Sequence, residues 1–527
     1  MGSTAWEIVA QEAQSRLLDS IPPQWRIEKD KYAHLTDVTD VPRTAGILTK
    51  EQLNITESTA TELSHQLTSQ RWTAVEVLEA FAARAAIAHQ LVNCLTDWLL
   101  EDGLKRAAEL DKYMQEHGKP VGPLHGIPVC LKDTYDVKGY ATTMGYLSKK
   151  DDIVNRDAAV VHALREAGAV FYVRTAMPQT GMALETSSNL WGRTLNPFNI
   201  HLGAGGSSGG DGALVALHGS PIAPSTDIGG SIRAPAAFNG LYAIRPTADR
   251  IPKGDDVRLF TKVLNAHPVN RYDVTCSPVP WREVSKPEGK LTVGVMKSDG
   301  VVMPHPPIIR AIEDTCEKLR QAGHQVIDFT PPFDCWEAAK TTFDLYFPDG
   351  AKGTLAMVDA SGEPLLPAFA NLLEVYNARE QTAAESLKCN VRQREYKTKF
   401  VKAWDETASQ TSNSRPIDVL ICPCAPSTSF PHGFNVYWGY TSLFNMLDYP
   451  STILPVSNFR ISEEEDPINT AYHPVTSNPY DQANHELYNP SLFKNQPVTI
   501  QVVGRPFDDE ELIEATGIID ELLNPAN

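Results

Sequence analysis

The chain has 527 residues, enough for two to four domains of average size or one large domain with extensions. A hydrophobic content of 42% and a charged content of 21% are those of an ordinary globular protein and leave no long span of disordered composition. Forty-seven basic residues against 65 acidic ones give a net charge of −18, which works against sequence-independent binding to nucleic acid and against docking on an anionic membrane.

The first residues, Met1 to Glu7, carry no basic stretch followed by an apolar run, so no secretory signal is expected. No stretch approaches the roughly 20 apolar residues of a membrane span. Eight cysteines, at 94, 130, 276, 316, 335, 389, 422 and 424, are scattered and read as free thiols of a reducing, cytoplasmic compartment. Cys422-Pro423-Cys424 has no second Cys/His cluster to complete a zinc site, so two buried thiols at a strand end are expected there and no metal.

In chain order, Ala5 to Leu18 is amphipathic and is stopped by Pro22-Pro23, and residues 1–60 read as a helical extension to a catalytic domain over 61–527. Thr73 and Glu76 have capping-box spacing and open a helix through Val77, Leu78 and Phe81; another helix covers Leu104 to Tyr113. From about residue 120, strands and helices alternate. Ile127 to Lys132 is a strand, Asp157 caps a helix closed by Gly168, and Ala169 to Val173 is a strand. Further strands are expected at Leu291–Val295, Val326–Phe329, Val419–Ile421, Ile453–Val456 and Val498–Val503, with a helix over Pro307–Gln321. Tyr376 to Thr407 reads as a charged, solvated helix and Glu463 to Asn489 as loop. The alternation implies an α/β architecture with a largely buried sheet.

The informative block is GAGGSSGGDGALVALHGSPIAPSTDIGGSIRAPAAFNGLYAIRPT, residues 203–247. Glycines at this density let backbone approach a ligand closely and build anion cradles. A P-loop is excluded because no Gly-Lys-Ser/Thr follows, and a dinucleotide fingerprint from Gly203 fails at Ser208. Gly205-Gly206-Ser207-Ser208-Gly209 formally satisfies the G-x-S-x-G elbow of α/β-hydrolases, but Leu195 to Leu202, with its Asn and Pro, reads as loop where a hydrophobic strand is required. The plain alternative is a set of tight turns. The second cluster, Thr226-Asp227-Ile228-Gly229-Gly230-Ser231, shifts the balance: consecutive amides before a serine can point at one developing oxyanion.

Gly122 to Pro128, Leu131-Lys132-Asp133, GGSSGG and TDIGGSIR, with Ser207 75 residues after Lys132 and Ser231 24 after Ser207, resemble the amidase signature family. Phe444 to Pro450 and Val503-Gly504-Arg505-Pro506 extend the resemblance over about residues 60 to 520, and the TDIGGSIR wording looks most like eukaryotic acetamidases and fatty-acid amide hydrolases. Asp211, where many bacterial members carry a small residue, and Gly240 to Pro246, in place of a commoner Gly-Leu-Lys-Pro ending, depart from the pattern without touching the catalytic positions. The resemblance implies the amidase signature fold, a large twisted mixed sheet with helices on both faces. It implies a cofactor-free serine amidohydrolase acting on small-molecule amides, with Ser231 as nucleophile, Ser207 (preceded by a cis peptide) as proton relay and Lys132 as base. The amides of Ile228, Gly229, Gly230 and Ser231 are the implied oxyanion hole.

A lysine serves as base only when neutral, which burial favours; on a strand Lys132 faces away from Asp133. Without the serine blocks Lys132 would read as a surface residue. Ser208 either supports the serine network or caps the helix from Gly210, Asp227 orients the loop or forms a turn, and Arg233 holds backbone carbonyls. His125 reads as structural. Pocket walls are expected from Thr341 to Tyr376 and Phe434 to Tyr440. Two other functions stay open: a serine esterase of α/β-hydrolase type, and a partner-dependent amidotransferase subunit, against which the acidic charge weighs. A homodimer is compatible with the sequence.

Overall fold

A computed structural model describes residues 4–248, 279–287, 289–457 and 459–525. Cys276 and the first three residues, both used in the sequence reading, lie outside the described residues. The described residues form two compact units, one within residues 4–226, 279–281 and 356–366, the other within residues 227–248, 282–355 and 367–525.

In the first unit, strands β1 (Leu95–Trp98), β2 (Pro128–Lys132) and β3 (Val170–Thr175) form a sheet in the order β1-β3-β2, with β2 parallel and β1 antiparallel to β3. Every residue of β2 and β3 is buried, as the near-continuous apolar runs of a sheet covered on both faces require. The helix Ala74–Val92 packs against both strands and against the helix Leu100–His117. Its start is the expected capping box: the Thr73 hydroxyl accepts from Glu76 N at 3.1 Å while Thr73 N donates to the Glu76 carboxylate at 2.8 Å. Its alanines are buried on every side, so neighbouring elements approach closely, and Arg84 among them donates to Leu217 O, Thr56 Oγ1 and Glu57 at 2.7 Å each. Short pairs β4 (Ser187–Ser188) with β5 (Gly192–Arg193) and β6 (Leu195–Asn196) with β7 (Asn199–Gly203) precede the glycine block. The segment before Ser207, read as loop, is thus a two-stranded hairpin, yet not a strand of the main sheet.

In the second unit, β8 (Ala243–Arg245), β9 (Thr292–Val295), β10 (Gln325–Asp328), β11 (Val419–Cys422), β12 (Ser451–Pro455) and β13 (Thr499–Val503) form a mixed sheet in the order β10-β9-β11-β13-β12-β8. The first three strands in that order are mutually parallel and the remainder antiparallel. The α/β class holds, with the strands hydrogen-bonded in these two principal sets. The helix Pro306–Gln321 joins β9 to β10, as parallel neighbours need a crossover.

Three local readings are corrected. Asp157 does not cap the helix Ala159–Glu166; its carboxylate accepts from Lys138 N at 2.8 Å and Arg165 Nε at 3.1 Å. The polar segment 463–489 contains the helix Tyr480–Leu487, whose Asp481 is fully buried and accepts from Met303 N at 2.8 Å and the Tyr472 hydroxyl at 2.6 Å. The charged helix Ala383–Glu406 is not wholly solvated, since Cys389, Phe400 and Trp404 are buried.

Candidate active site

In the first unit the parallel pairing of β2 with β3 sets Lys132 against Thr175, at the carboxyl end of its strand. That is the end at which open α/β sheets place their ligands. Lys132 is fully buried (0% exposed) and its Nζ lies 2.8 Å from Ser207 Oγ and 3.0 Å from Thr226 Oγ1. The Gly206–Ser207 peptide is cis. Gly206 is required by space: a Cβ there would overlap the Ala183 carbonyl oxygen. Asp133, the acidic neighbour in sequence, is engaged elsewhere, since its carboxylate pairs with Arg174 at 2.8 Å and accepts from Thr143 N at 3.0 Å. Ser208 sits at the start of the helix Gly209–Ala216 without capping it, and its buried hydroxyl has no partner among the described residues. Of the two roles open to Ser208, the cap is therefore ruled out.

Asp211 is buried on the same helix and accepts from the hydroxyls of Thr175 and Ser225. Burial pushes its carboxyl above the usual range, against the opposing pull of those hydroxyls and of Lys132. Thr175 pairs with Lys132 across the sheet and Ser225 precedes Thr226, so this carboxyl fixes two elements that frame the lysine.

In the second unit the block from Asp227 to Arg233 is folded around one carboxylate. Asp227 Oδ1 accepts from Gly230 N at 2.9 Å, and Oδ2 from Ile232 N at 3.2 Å and Arg233 N at 3.3 Å. The Arg233 guanidinium closes on both oxygens at 3.0 Å, both residues being fully buried as side chains. Burial pulls the guanidinium toward neutrality, but Asp227 more than offsets it and the net shift is upward. Arg233 also donates to Gln501 Oε1 at 2.9 Å and Thr441 O at 3.0 Å. Its expected hold on carbonyls is therefore real but secondary to an ion pair. Ser231 is 3% exposed.

The backbone of this turn is pinned from outside. Asp227 O accepts from Asn445 Nδ2 at 3.1 Å, Ile228 O from the Tyr346 hydroxyl, and Gly229 O from Thr441 Oγ1 at 2.7 Å. Gly230 has φ +128°, and a Cβ there would overlap Thr441. One expected donor needs correction: the Gly230 amide is turned inward to Asp227, which leaves Ile228, Gly229 and Ser231 as the outward candidates. The two expected wall regions do meet, Phe343 stacking on Tyr376 at 3.6 Å and lying edge-on to Trp438 at 5.5 Å between ring centres. A Cβ on Gly229 would stand 3.1 Å from the Trp438 ring and from the Tyr346 hydroxyl.

Sequence reading missed Thr226, Tyr346, Thr441 and Asn445. Thr226 carries a signal, a hydroxyl at the head of TDIGGSIR, whereas the other three act from 118 to 218 residues away.

A family model described as Amidase matches residues 76–272 and 255–513. The chain belongs to the amidase signature family. An amidase of Gibberella zeae is 57% identical over 98% of this chain and 99% of its own, and an acetamidase of Aspergillus oryzae is 37% identical over 99% and 100%. Among solved structures, a fatty acid amide hydrolase superposes with a TM-score of 0.90 at 35% identity, covering 99% of this chain and 95% of that one. The amidase signature fold is therefore that of this chain, the α/β-hydrolase alternative is set aside, and the protein is an enzyme that hydrolyses amides. Among the described residues no helix is long and apolar enough to cross a membrane.

Proposed function

We propose that this amidase cleaves carboxylic amides to acid and amine or ammonia through an acyl-enzyme on Ser231. The observation that carries the reading is the fully buried Lys132 Nζ 2.8 Å from Ser207 Oγ. A nitrogen at that distance can take a proton from the Ser207 hydroxyl, which in turn can take one from the attacking serine. After attack, the same chain run backwards protonates the departing amine. The base in this reading is the neutral amine of Lys132, and Asp133, its neighbour in sequence, is paired with Arg174. The amides of Ile228, Gly229 and Ser231 stabilise the oxyanion, while Asp227 and Arg233 hold the turn that presents them.

The substrate is a small molecule, and the acetamidase name of the Aspergillus oryzae relative makes short aliphatic amides the first to test. The aromatic side chains beside Gly229 add aryl amides to that list. Residues 1–60 are read as an extension to a catalytic domain over 61–527. The seven described cysteines are free and buried, which supports a cytoplasmic location. Charge and family branch favour an enzyme acting without an amidotransferase partner, alone or as a homodimer.

The test is covalent trapping. A serine-directed fluorophosphonate should label the protein once, with the adduct on Ser231 by peptide mapping, and purified protein should turn over acetamide or acetanilide. Labelling at Ser207 in place of Ser231 overturns the assignment of roles.

A further inference from the structure

We propose that Tyr346 is a positioning residue for the oxyanion hole: its hydroxyl, by holding the Ile228 carbonyl, aims the Gly229 amide at the reacting carbonyl oxygen. This rests on the acyl-enzyme reading above and extends it to a residue outside every sequence block.

The argument is one of peptide geometry. A trans peptide is planar, so its C=O and the following N–H point in opposite directions. Among the described residues the single cis peptide is Gly206–Ser207, so every peptide from Asp227 to Ser231 is trans. The rule can be checked in the same turn: Gly229 O is drawn to Thr441 Oγ1, and the Gly230 amide on the same peptide points away from it, to Asp227 Oδ1. One residue earlier, Ile228 O is drawn to the Tyr346 hydroxyl, so the Gly229 amide points away from Tyr346. Among the described residues no side-chain acceptor takes that amide as Asp227 takes its neighbour. Tyr346 therefore decides where one of the outward donors is aimed.

The hydroxyl is suited to this. Tyr346 ends the helix Cys335–Tyr346, its ring lies edge-on to Phe343 at 5.4 Å, and it is half-buried. Burial raises its phenol well above the ordinary value, so it remains a donor throughout any practical assay range. Glycine at 229 lets the ring oxygen approach, since a Cβ would stand 3.1 Å from it. Without the hydroxyl the ring can still pack, but the Ile228–Gly229 peptide loses the bond that fixes its rotation. Because an oxyanion donor acts chiefly in the transition state, the loss should fall on kcat and leave KM almost unchanged.

Tyr346→Phe separates this from a packing role. With an amide the enzyme turns over, kcat should fall about 10- to 100-fold, less than the roughly 10²–10³-fold for outright loss of one oxyanion donor because the amide is misaimed and not removed, and KM should change less than about twofold. Affinity for a trifluoromethyl ketone that forms a tetrahedral serine adduct should fall by the same factor as kcat/KM, while the melting temperature stays within a few degrees. A kcat within twofold of wild type overturns the proposal, as does a change confined to KM, or a fall in kcat with unaltered ketone affinity. Fluorophosphonate mapping of both proteins isolates the cause. If wild type is not labelled on Ser231, the parent reading has failed; if both are labelled there and Tyr346→Phe retains its kcat, only this inference has.

Discussion

Replacing Asp227 by alanine tests whether the nucleophile turn depends on one buried ion pair. The carboxylate serves three backbone amides and the Arg233 guanidinium, with both side chains fully buried. After its removal Arg233 keeps the neutral acceptors Gln501 Oε1 and Thr441 O but no counter-charge. Stranding one member of a buried pair costs about 3–5 kcal/mol. The amides of Gly230, Ile232 and Arg233 each lose an acceptor, at roughly 1 kcal/mol apiece where water does not replace it. A loss of at least about 4 kcal/mol is therefore expected, a large part of the roughly 5–15 kcal/mol by which folded proteins are stable. Removing the charge as well, in Asp227→Ala/Arg233→Met, should restore part of that loss. The assay is urea unfolding of wild type, both single variants and the double, by tryptophan fluorescence and circular dichroism, with equal slopes required for comparison. A coupling energy of about 2 kcal/mol or more is expected. Losses that add to within about 0.5 kcal/mol, or an Asp227→Ala protein within about 1 kcal/mol of wild type, would refute the reasoning.

Lys132→Ala should lower amide turnover by about 10²–10⁴-fold in steady-state assays, with the fold checked by circular dichroism. Gly230→Ala must place a Cβ at φ +128° against Thr441, so it should abolish activity and lower the melting temperature in calorimetry; a wild-type melting curve would contradict the turn as described. Burial pushes the Asp299 carboxyl up to about 6 from its ordinary 3.8, against bonds from Val301 N, Val302 N and the Tyr437 hydroxyl. The fold thus favours its protonated form: that stability is fully present below about pH 4 and lost as pH rises through about 6, to a total of about 3 kcal/mol. Denaturation across that window should show wild type losing stability relative to Asp299→Asn, and parallel pH profiles would remove Asp299 as the cause.

Local chemistry was legible and distant chemistry was not. The Thr73/Glu76 capping box lies within one turn of chain and forms as its spacing requires. Lys132 and Ser207 are 75 residues apart, and only the family resemblance joined them before the structure did. Asp157 misled because a carboxylate near a helix start is also free to bind an arginine side chain, and here it takes Arg165. The helix Tyr480–Leu487 escaped because its buried face includes Asp481 and Asn484, polar residues held by bonds that periodicity does not register. Gly230 was counted as an outward donor because four amides in a row carry no mark of which one a side chain will claim. Tyr346, Thr441 and Asn445 are ordinary helix residues in sequence, and their meaning exists only once helices far along the chain have docked on the turn.

The short return of residues 356–366 to the first unit bears on the order in which the protein is made. Glu363, buried in that segment, accepts from Leu147 N at 2.8 Å, Gln179 Nε2 at 2.8 Å and Asn189 Nδ2 at 2.9 Å. Until about residue 366 has left the ribosome these three donors lack their shared acceptor, although the Lys132 and Ser207 blocks have long been synthesised. The first unit is thus completed only after part of the second has emerged, and neither unit corresponds to an uninterrupted stretch of the gene. A truncation at the end of the glycine-serine blocks would contain Lys132, Ser207 and Ser231 and still lack the carboxylate that ties these donors together.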